Sequence, residues 1–218
     1  MEFYLHFFDL LGPSLVHLVE TSRSCGIVTT ALNSTFIALI PKVDCPTYFG
    51  DFRPISLCNL CYKLIAKVAA TRLKPYLDSH ISPQQFGFLK NRLIQEPVAI
   101  TQEVLHSVKI KKQSTLILKL DLTKAFDRVN WTFIRLILIQ IGIPLVGVNW
   151  ILGCISSANY AVLVNGSPST FFSATRGIRQ GCPLSPLLFI LVIEGLSLLI
   201  EDAKLNGVIK GIKITPHL

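Results

Sequence analysis

Apolar and polar positions recur at two periods along this chain, and the changes of period mark its elements. The opening MEFYLHFFDLLGPSLVHLVE is apolar but punctuated by Glu2, Asp9 and Pro13, and no basic stretch leads it, so it predicts a helical segment rather than a signal peptide. LNSTFIALIPK (32–42) predicts a strand closed by Pro41, followed by the turn formers DCPTYFGD. In FRPISL, Ser56 is placed to cap a helix whose apolar face runs Leu57, Leu60, Cys61, Leu64, Ile65 and Val68, with Lys63, Lys67 and Lys74 on the other side. SPQQFGFLKNR (82–92) reads as a loop, and Pro97 suits the first turn of a helix running to about Lys112.

TLILKLDL (115–122) carries the clearest period of two, with Leu116, Leu118, Leu120 and Leu122 on one face and Ile117, Lys119 and Asp121 on the other. A helix is expected over 122–130, then one from Trp131 to about Ile141, a break at Gly142 and Pro144, and another helix to about Ser156. Asn165-Gly166 between two β-rich runs predicts a hairpin, because both residues tolerate positive φ. Ser185-Pro186 reads as N-cap and first turn of a long apolar helix to about Leu205, and VIKGIKI as a weak closing strand. Strands interleaved with helices, without repeat or linker, predict one discontinuous α+β unit.

Composition narrows the class. Of 218 residues, 50% are apolar and 16% charged, which excludes a disordered chain and leaves ample side chains for a core. The stretch from Cys182 to Ile200 is long enough to span a bilayer, but its prolines, serines and Glu194, with no flanking positive clusters, favour a buried helix and no membrane. Six cysteines offer one close pair, Cys58-Asn-Leu-Cys61, without a second ligand pair for zinc; that pair reads as core thiols, and the lack of a disulfide framework suggests a reducing, intracellular compartment, nucleus or cytoplasm. Net charge is +8, and the excess is local: from Lys42 to Arg135 there are 15 basic against 7 acidic residues. A polyanion partner follows naturally, although a charge of this size also serves solubility.

Three constellations could carry chemistry. Asp121, at the end of an apolar strand, can hold a hard divalent cation through its carboxylate or simply cap the helix after it. Asp127 reads as a partner for Arg128 or Lys124. In Arg179-Gln180-Gly181-Cys182-Pro183, the glycine lets backbone approach a ligand and Gln180 offers donor and acceptor edges. Lys42 and Arg53 flank a turn-rich loop suited to gripping a polyphosphate.

IPK…FRPISL, QFGFLKNR, LKLDLTKAFDRV and GIRQGCPLSPLLF, in this order, resemble reverse transcriptases of non-LTR (LINE-type) retrotransposons, plant elements in particular, from about residue 33 onward. The resemblance implies a right-hand polymerase: an N-terminal helical segment (1–32), fingers (33–114), and a palm (115–218) with interleaved helices and a sheet like that of RNA-recognition motifs. It implies RNA-directed DNA synthesis, a nucleotidyl transfer, on an RNA template and DNA primer with deoxynucleoside triphosphates and two Mg²⁺ ions. Asp121 would be the catalytic aspartate and metal ligand. Phe126 would lie under the incoming sugar, Gln180 and Gly181 would line the nucleotide pocket, and Lys42 and Arg53 would hold the triphosphate. Gln85, Gly87 and Arg92 would lie near the template.

Two departures stand against that pattern. Asn91 occupies a position where the family commonly has glycine. The family's aromatic-X-Asp-Asp turn would begin at His217-Leu218, so the palm is expected to lack its acidic hairpin, and the thumb with it. The endonuclease and RNase H regions that some full elements carry are expected to lie outside these 218 residues. The expectation is a fragment of an open reading frame or a decayed copy, inactive by itself, the alternative being a catalytically dead nucleic-acid-binding remnant.

Overall fold

Residues 2–212 are described by the computed structural model. The N-terminal segment forms α1 (Glu2–His6) and α2 (Phe8–Cys25), which ends on Gly26 in the left-handed region. After a single turn, α3 (Thr30–Asn33), the apolar run expected as a strand becomes β1 (Ser34–Pro41). FRPISL, expected to lead into a helix, is instead β2 (Phe52–Leu57), antiparallel to β1 with Ile40 opposite Arg53. Ser56 therefore caps nothing. The cap of α4 (Leu60–His80) is Asn59, whose side chain accepts from the Tyr62 N–H at 2.8 Å. β-Branched and aromatic residues flanking Pro54 have β1 beside them, and that partner overrides the local helix signal.

Along α4 the buried positions are Tyr62, Ile65, Ala66, Ala69, Ala70, Leu73 and Leu77, a helical stripe that the small alanines let neighbours approach closely. Lys63, Lys67 and Lys74 face solvent as expected. The loop from 81 leads to α5 (Gln95–Ile110), then α6 (Trp131–Gln140) and α7 (Leu145–Ser156), separated by Gly142 at φ +81°. Next come β3 (Asn159–Val164), β4 (Ser167–Pro168) and β5 (Phe172–Ser173), then α8 (Ser185–Leu205). Asn165 and Gly166 both have positive φ, and Val164 pairs with Ser167 across them, as the hairpin signal requires.

Sheet order is β2-β1-β3-β4, with β5 also on β3. β1 runs parallel to β3, Ser34 beside Asn159, so the sheet joins the two halves of the chain. The apolar core lies among the helices, α8 packing on α4 and α6 and α7 on α2 and α6; Trp150 donates to the Ser22 hydroxyl to tie α7 to α2.

Three further expectations fail. Residues 115–122 form neither strand nor helix, and Leu116 and Leu118 are 89% and 74% exposed. A strand needs a neighbour to complete its ladder, and none pairs with this segment among the described residues. The helix expected over 122–130 shrinks to one 3₁₀ turn, Phe126–Arg128, preceded by Lys124 at φ +52°. Ser185 does not cap α8: Leu184 holds the cap position, and the Ser185 hydroxyl is buried without a partner. Of the weak closing strand, residues 208–212 are irregular and the rest lies outside the described residues. No helix among the described residues is long and apolar enough to cross a membrane.

Candidate functional site

The loop before α8 is stitched to two distant parts of the chain by its backbone. On one side, Gly177 N–H donates to the Val129 carbonyl (2.8 Å) and Ile178 N–H to the Phe126 carbonyl (2.9 Å), while the Trp131 indole donates to the Gly177 carbonyl (2.6 Å). On the other, the Ser56 N–H of β2 donates to the Gln180 carbonyl at 2.9 Å. Both contacts depend on glycine. Gly177 (φ +88°) would place a Cβ 2.9 Å from the Asp127 carbonyl, and Gly181 (φ +98°) would place one 3.1 Å from that of Ser56. Phe126, Asp127, Gln180, Gly181 and the strand bearing Arg53 are thus brought together. Beside this junction lies a cavity of about 160 Å³ lined by Ser56, Asp127, Tyr160, Phe172, Arg176 and Gln180 among others, but not by Phe126 or Gly181.

Underneath, Arg179 is 5% exposed and forms no ion pair among the described residues. Its guanidinium lies over the Tyr62 ring, 4.3 Å from the centroid, and 5.5 Å from that of Tyr160. It donates to the carbonyl and side-chain oxygens of Asn33 and to Cys58 Sγ (3.5 Å). Asn33 in turn donates to the Cys154 carbonyl and the Ser157 hydroxyl. Burial pushes the Tyr62 phenol well above its ordinary range, and the Cys154 thiol up to about 12. These groups stay neutral and present dipoles and π faces to the cation. The cysteines, all free, are core thiols at 58, 154 and 182, whereas Cys25 and Cys45 are exposed.

Lys42 and Arg53 sit at the far end of the β1–β2 pair, both exposed, and by register and alternation on one face of it. Lys42 Nζ donates to the Gly50 carbonyl (2.9 Å), and its N–H to that of Asp51 (2.7 Å). The Asp51 carboxylate accepts from the Thr47 and Tyr48 N–H groups, and the Thr47 bond leads in holding its pKa below the ordinary range.

Gln85, Gly87 and Arg92 share the loop between α4 and α5. Gly87 is half-buried with open space where a Cβ would stand, and Asn91 adopts φ +60°, a left-handed conformation that asparagine supplies where glycine would. Arg92 turns inward: Nη1 donates to the carbonyls of Ser82 (2.6 Å) and Gln85 (2.5 Å), and Nη2 to that of Ile81 (3.0 Å).

Asp121 is exposed, five residues before Phe126, whose ring stacks on Phe189 at 4.9 Å. No group of three His, Cys, Asp or Glu side chains that could hold a metal exists among the described residues. Mg²⁺ wants several fixed oxygen ligands, so these residues alone do not make its site. Sequence reasoning placed Glu194 in a buried helix, as found, but missed the burial of Arg179. The one signal was position: Arg179 beside two functional candidates, Glu194 the sole charge of an apolar run.

Comparison with known proteins places this geometry. Residues 40–214 match the family profile described as reverse transcriptase (RNA-dependent DNA polymerase). An uncharacterized 149 kDa protein of transposon TX1 from Xenopus laevis is 31% identical over 211 residues, 96% of this chain and 16% of that protein. The retrovirus-related Pol polyprotein of the type-2 retrotransposable element R2DM from Drosophila melanogaster is 30% identical over 172 residues, 79% of this chain and 16% of that protein. An uncharacterized mitochondrial protein of Arabidopsis thaliana is 45% identical over 53 residues, 24% of this chain and 43% of that protein. The chain spans about a sixth of the length of the first two relatives.

Proposed function

Since this chain belongs to the reverse transcriptase family, with Pol proteins of non-LTR retrotransposons among its relatives, we propose that it is the part of such a protein that seats nucleotide and template for RNA-directed DNA synthesis. The observation that carries this reading is the stitching of the Gly177–Gly181 loop to both β2 and residues 126–129, which gathers three separate sequence motifs around one cleft. In the reaction, a primer 3′-hydroxyl attacks the α-phosphate of a deoxynucleoside triphosphate, and pyrophosphate leaves.

Lys42 and Arg53 hold the triphosphate from the exposed hairpin end, where they share a face and Lys42 would exchange its bond to the Gly50 carbonyl for a phosphate oxygen. Gln180 and Gly181 line the nucleotide, Gln180 with its backbone already fixed by Ser56. Phe126 lies under the sugar, where its ring would clash with a ribose 2′-hydroxyl; stacking on Phe189 holds it in place. Gln85 and Gly87 meet the template, and Arg92 shapes their loop. Residues 33–114 are the fingers, 115–218 belong to the palm, and 1–32 form a helical flank. A divalent metal is general to the family; Asp121 is this chain's contribution to it, Mg²⁺ being the expected ion. The described residues do not complete the set, so the 218-residue polypeptide is expected to bind without extending.

Primer extension on an RNA template tests the reading. The longer Pol protein containing this segment should extend, and Asp121→Asn in it should abolish extension; extension untouched by Asp121→Asn would refute the assignment. The polypeptide alone should bind an RNA–DNA hybrid, with affinity falling steeply as salt rises because bound counterions are released. Extension by the polypeptide alone would show that its metal site is complete.

A further inference from the structure

Glu194 is the only charge on the apolar run of α8, and it is 6% exposed. A carboxylate so placed is costly to bury unless paired, yet the ion pairs among the described residues are Glu20 with Arg23 and with Arg72, and Glu194 takes no part in them. One of its oxygens accepts from the Ser82 hydroxyl; the other is buried without a partner. Ser82 faces two ways. Its hydroxyl serves Glu194, and its carbonyl accepts from Arg92 Nη1, the guanidinium that also gathers the carbonyls of Ile81 and Gln85. A buried anion and a half-buried cation are therefore joined through one serine, each meeting a different dipole of the same residue. The loop they close, 82–92, carries Gln85 and Gly87. The helix they close it onto begins four residues after Gly181.

We propose that Glu194 is a positioning residue: through Ser82 and Arg92 it locks the 82–92 loop onto α8, fixing the template-side loop relative to the Gln180–Gly181 loop at the head of the same helix. The assignment of the 82–92 loop to template rests on the function proposed above; the mechanical link does not. Arg92, its donors turned to three carbonyls, belongs to this lock and not to the nucleic-acid surface. A merely structural acid would cost overall stability when changed. A lock of this kind loosens one loop and one ligand.

The test compares Ser82→Ala, Ser82→Thr, Glu194→Gln and the double variant Ser82→Ala/Glu194→Gln in the 218-residue chain. Readouts are amide hydrogen exchange and affinities for an RNA–DNA hybrid and for dTTP. Ser82→Ala should speed exchange across 82–92 by about ten-fold and weaken hybrid binding about five-fold, the worth of one lost hydrogen bond, with dTTP affinity unchanged. Ser82→Thr, which keeps the hydroxyl, should restore both. Adding Glu194→Gln to Ser82→Ala should change loop exchange no further, because the two residues act as one link. Wild-type loop exchange in Ser82→Ala, additive effects in the double variant, or equal losses of hybrid and dTTP would each overturn the proposal. A wild-type chain that binds no hybrid would sink the functional reading instead; the exchange arm still decides the lock.

Discussion

Residues 174–191 and residues 95–122 are both rich in apolar side chains, yet they end in opposite conditions. In the first, Ile178, Leu184 and Leu188 are buried, the backbone is bonded to β2 and to residues 126–129, and even an arginine is enclosed. In the second, not one residue is buried: α5 has no buried position, and the leucines of TLILKLDL stand in solvent. What separates them is a facing element. The loop and helix of 174–191 lie between a strand edge and α4 and α6, whereas no residue of 95–122 joins the buried core among the described residues. Amphipathic period is a capacity for burial; only a partner realises it.

The sharpest way to break that contrast is to truncate one leucine in each region. Leu188→Ala should cost about 2–5 kcal/mol in urea unfolding, since it opens a cavity in a packed core, while Leu118→Ala should stay within about 0.5 kcal/mol. Comparable losses would mean that 95–122 is covered in solution. Next in size is Arg179→Lys. An ammonium cannot stack flat on Tyr62 while reaching Asn33 and Cys58, so melting should report a loss of about 1–3 kcal/mol, against no measurable change for Lys at the exposed Arg53. A tolerated Arg179→Lys would show that charge alone, not the planar fork, occupies that core.

The smallest effect is acid-sensitive and local. Asp51 has its pKa lowered in the folded chain, so its carboxylate stabilises the 47–51 turn above the ordinary aspartate value, near pH 4, and that contribution disappears as pH falls through the folded value. Amide exchange, corrected for intrinsic rates, should therefore rise at Thr47 and Tyr48 on acidification while Gly177 and Ile178 hold steady. Asp51→Asn should flatten the pH response; a response that persists would assign it elsewhere.

Much of this was readable from sequence where a local rule decides. Asn165-Gly166 made its hairpin because both residues take positive φ, and Pro97 stands in the first turn of α5 because its missing N–H costs nothing there. Where a distant partner decides, the local signals misled. Ser56 had the chemistry of a cap, but β1 recruited it into a strand; TLILKLDL had the period of a strand and found no ladder. At the site, sequence marked Phe126, Gln180 and Gly181, which the fold gathers, but it could not show that Arg92 turns inward to three carbonyls or that Arg179 lies under the cleft. Those outcomes depend on which donors and rings arrive from far along the chain.

The parallel pairing of β1 with β3 sets a timetable for synthesis. Ser34 waits for Asn159, and at 5–20 residues per second the ribosome needs roughly 6–25 s to make the intervening stretch. During that interval β1 and β2 can pair only with each other, their remaining edge open to any nascent chain nearby. Such non-local closure is slow in itself, because the entropy of a long loop is lost before any contact across it forms. The sheet's inner seam thus spans its longest separation in sequence, and chaperone demand during translation should peak before residue 159 emerges.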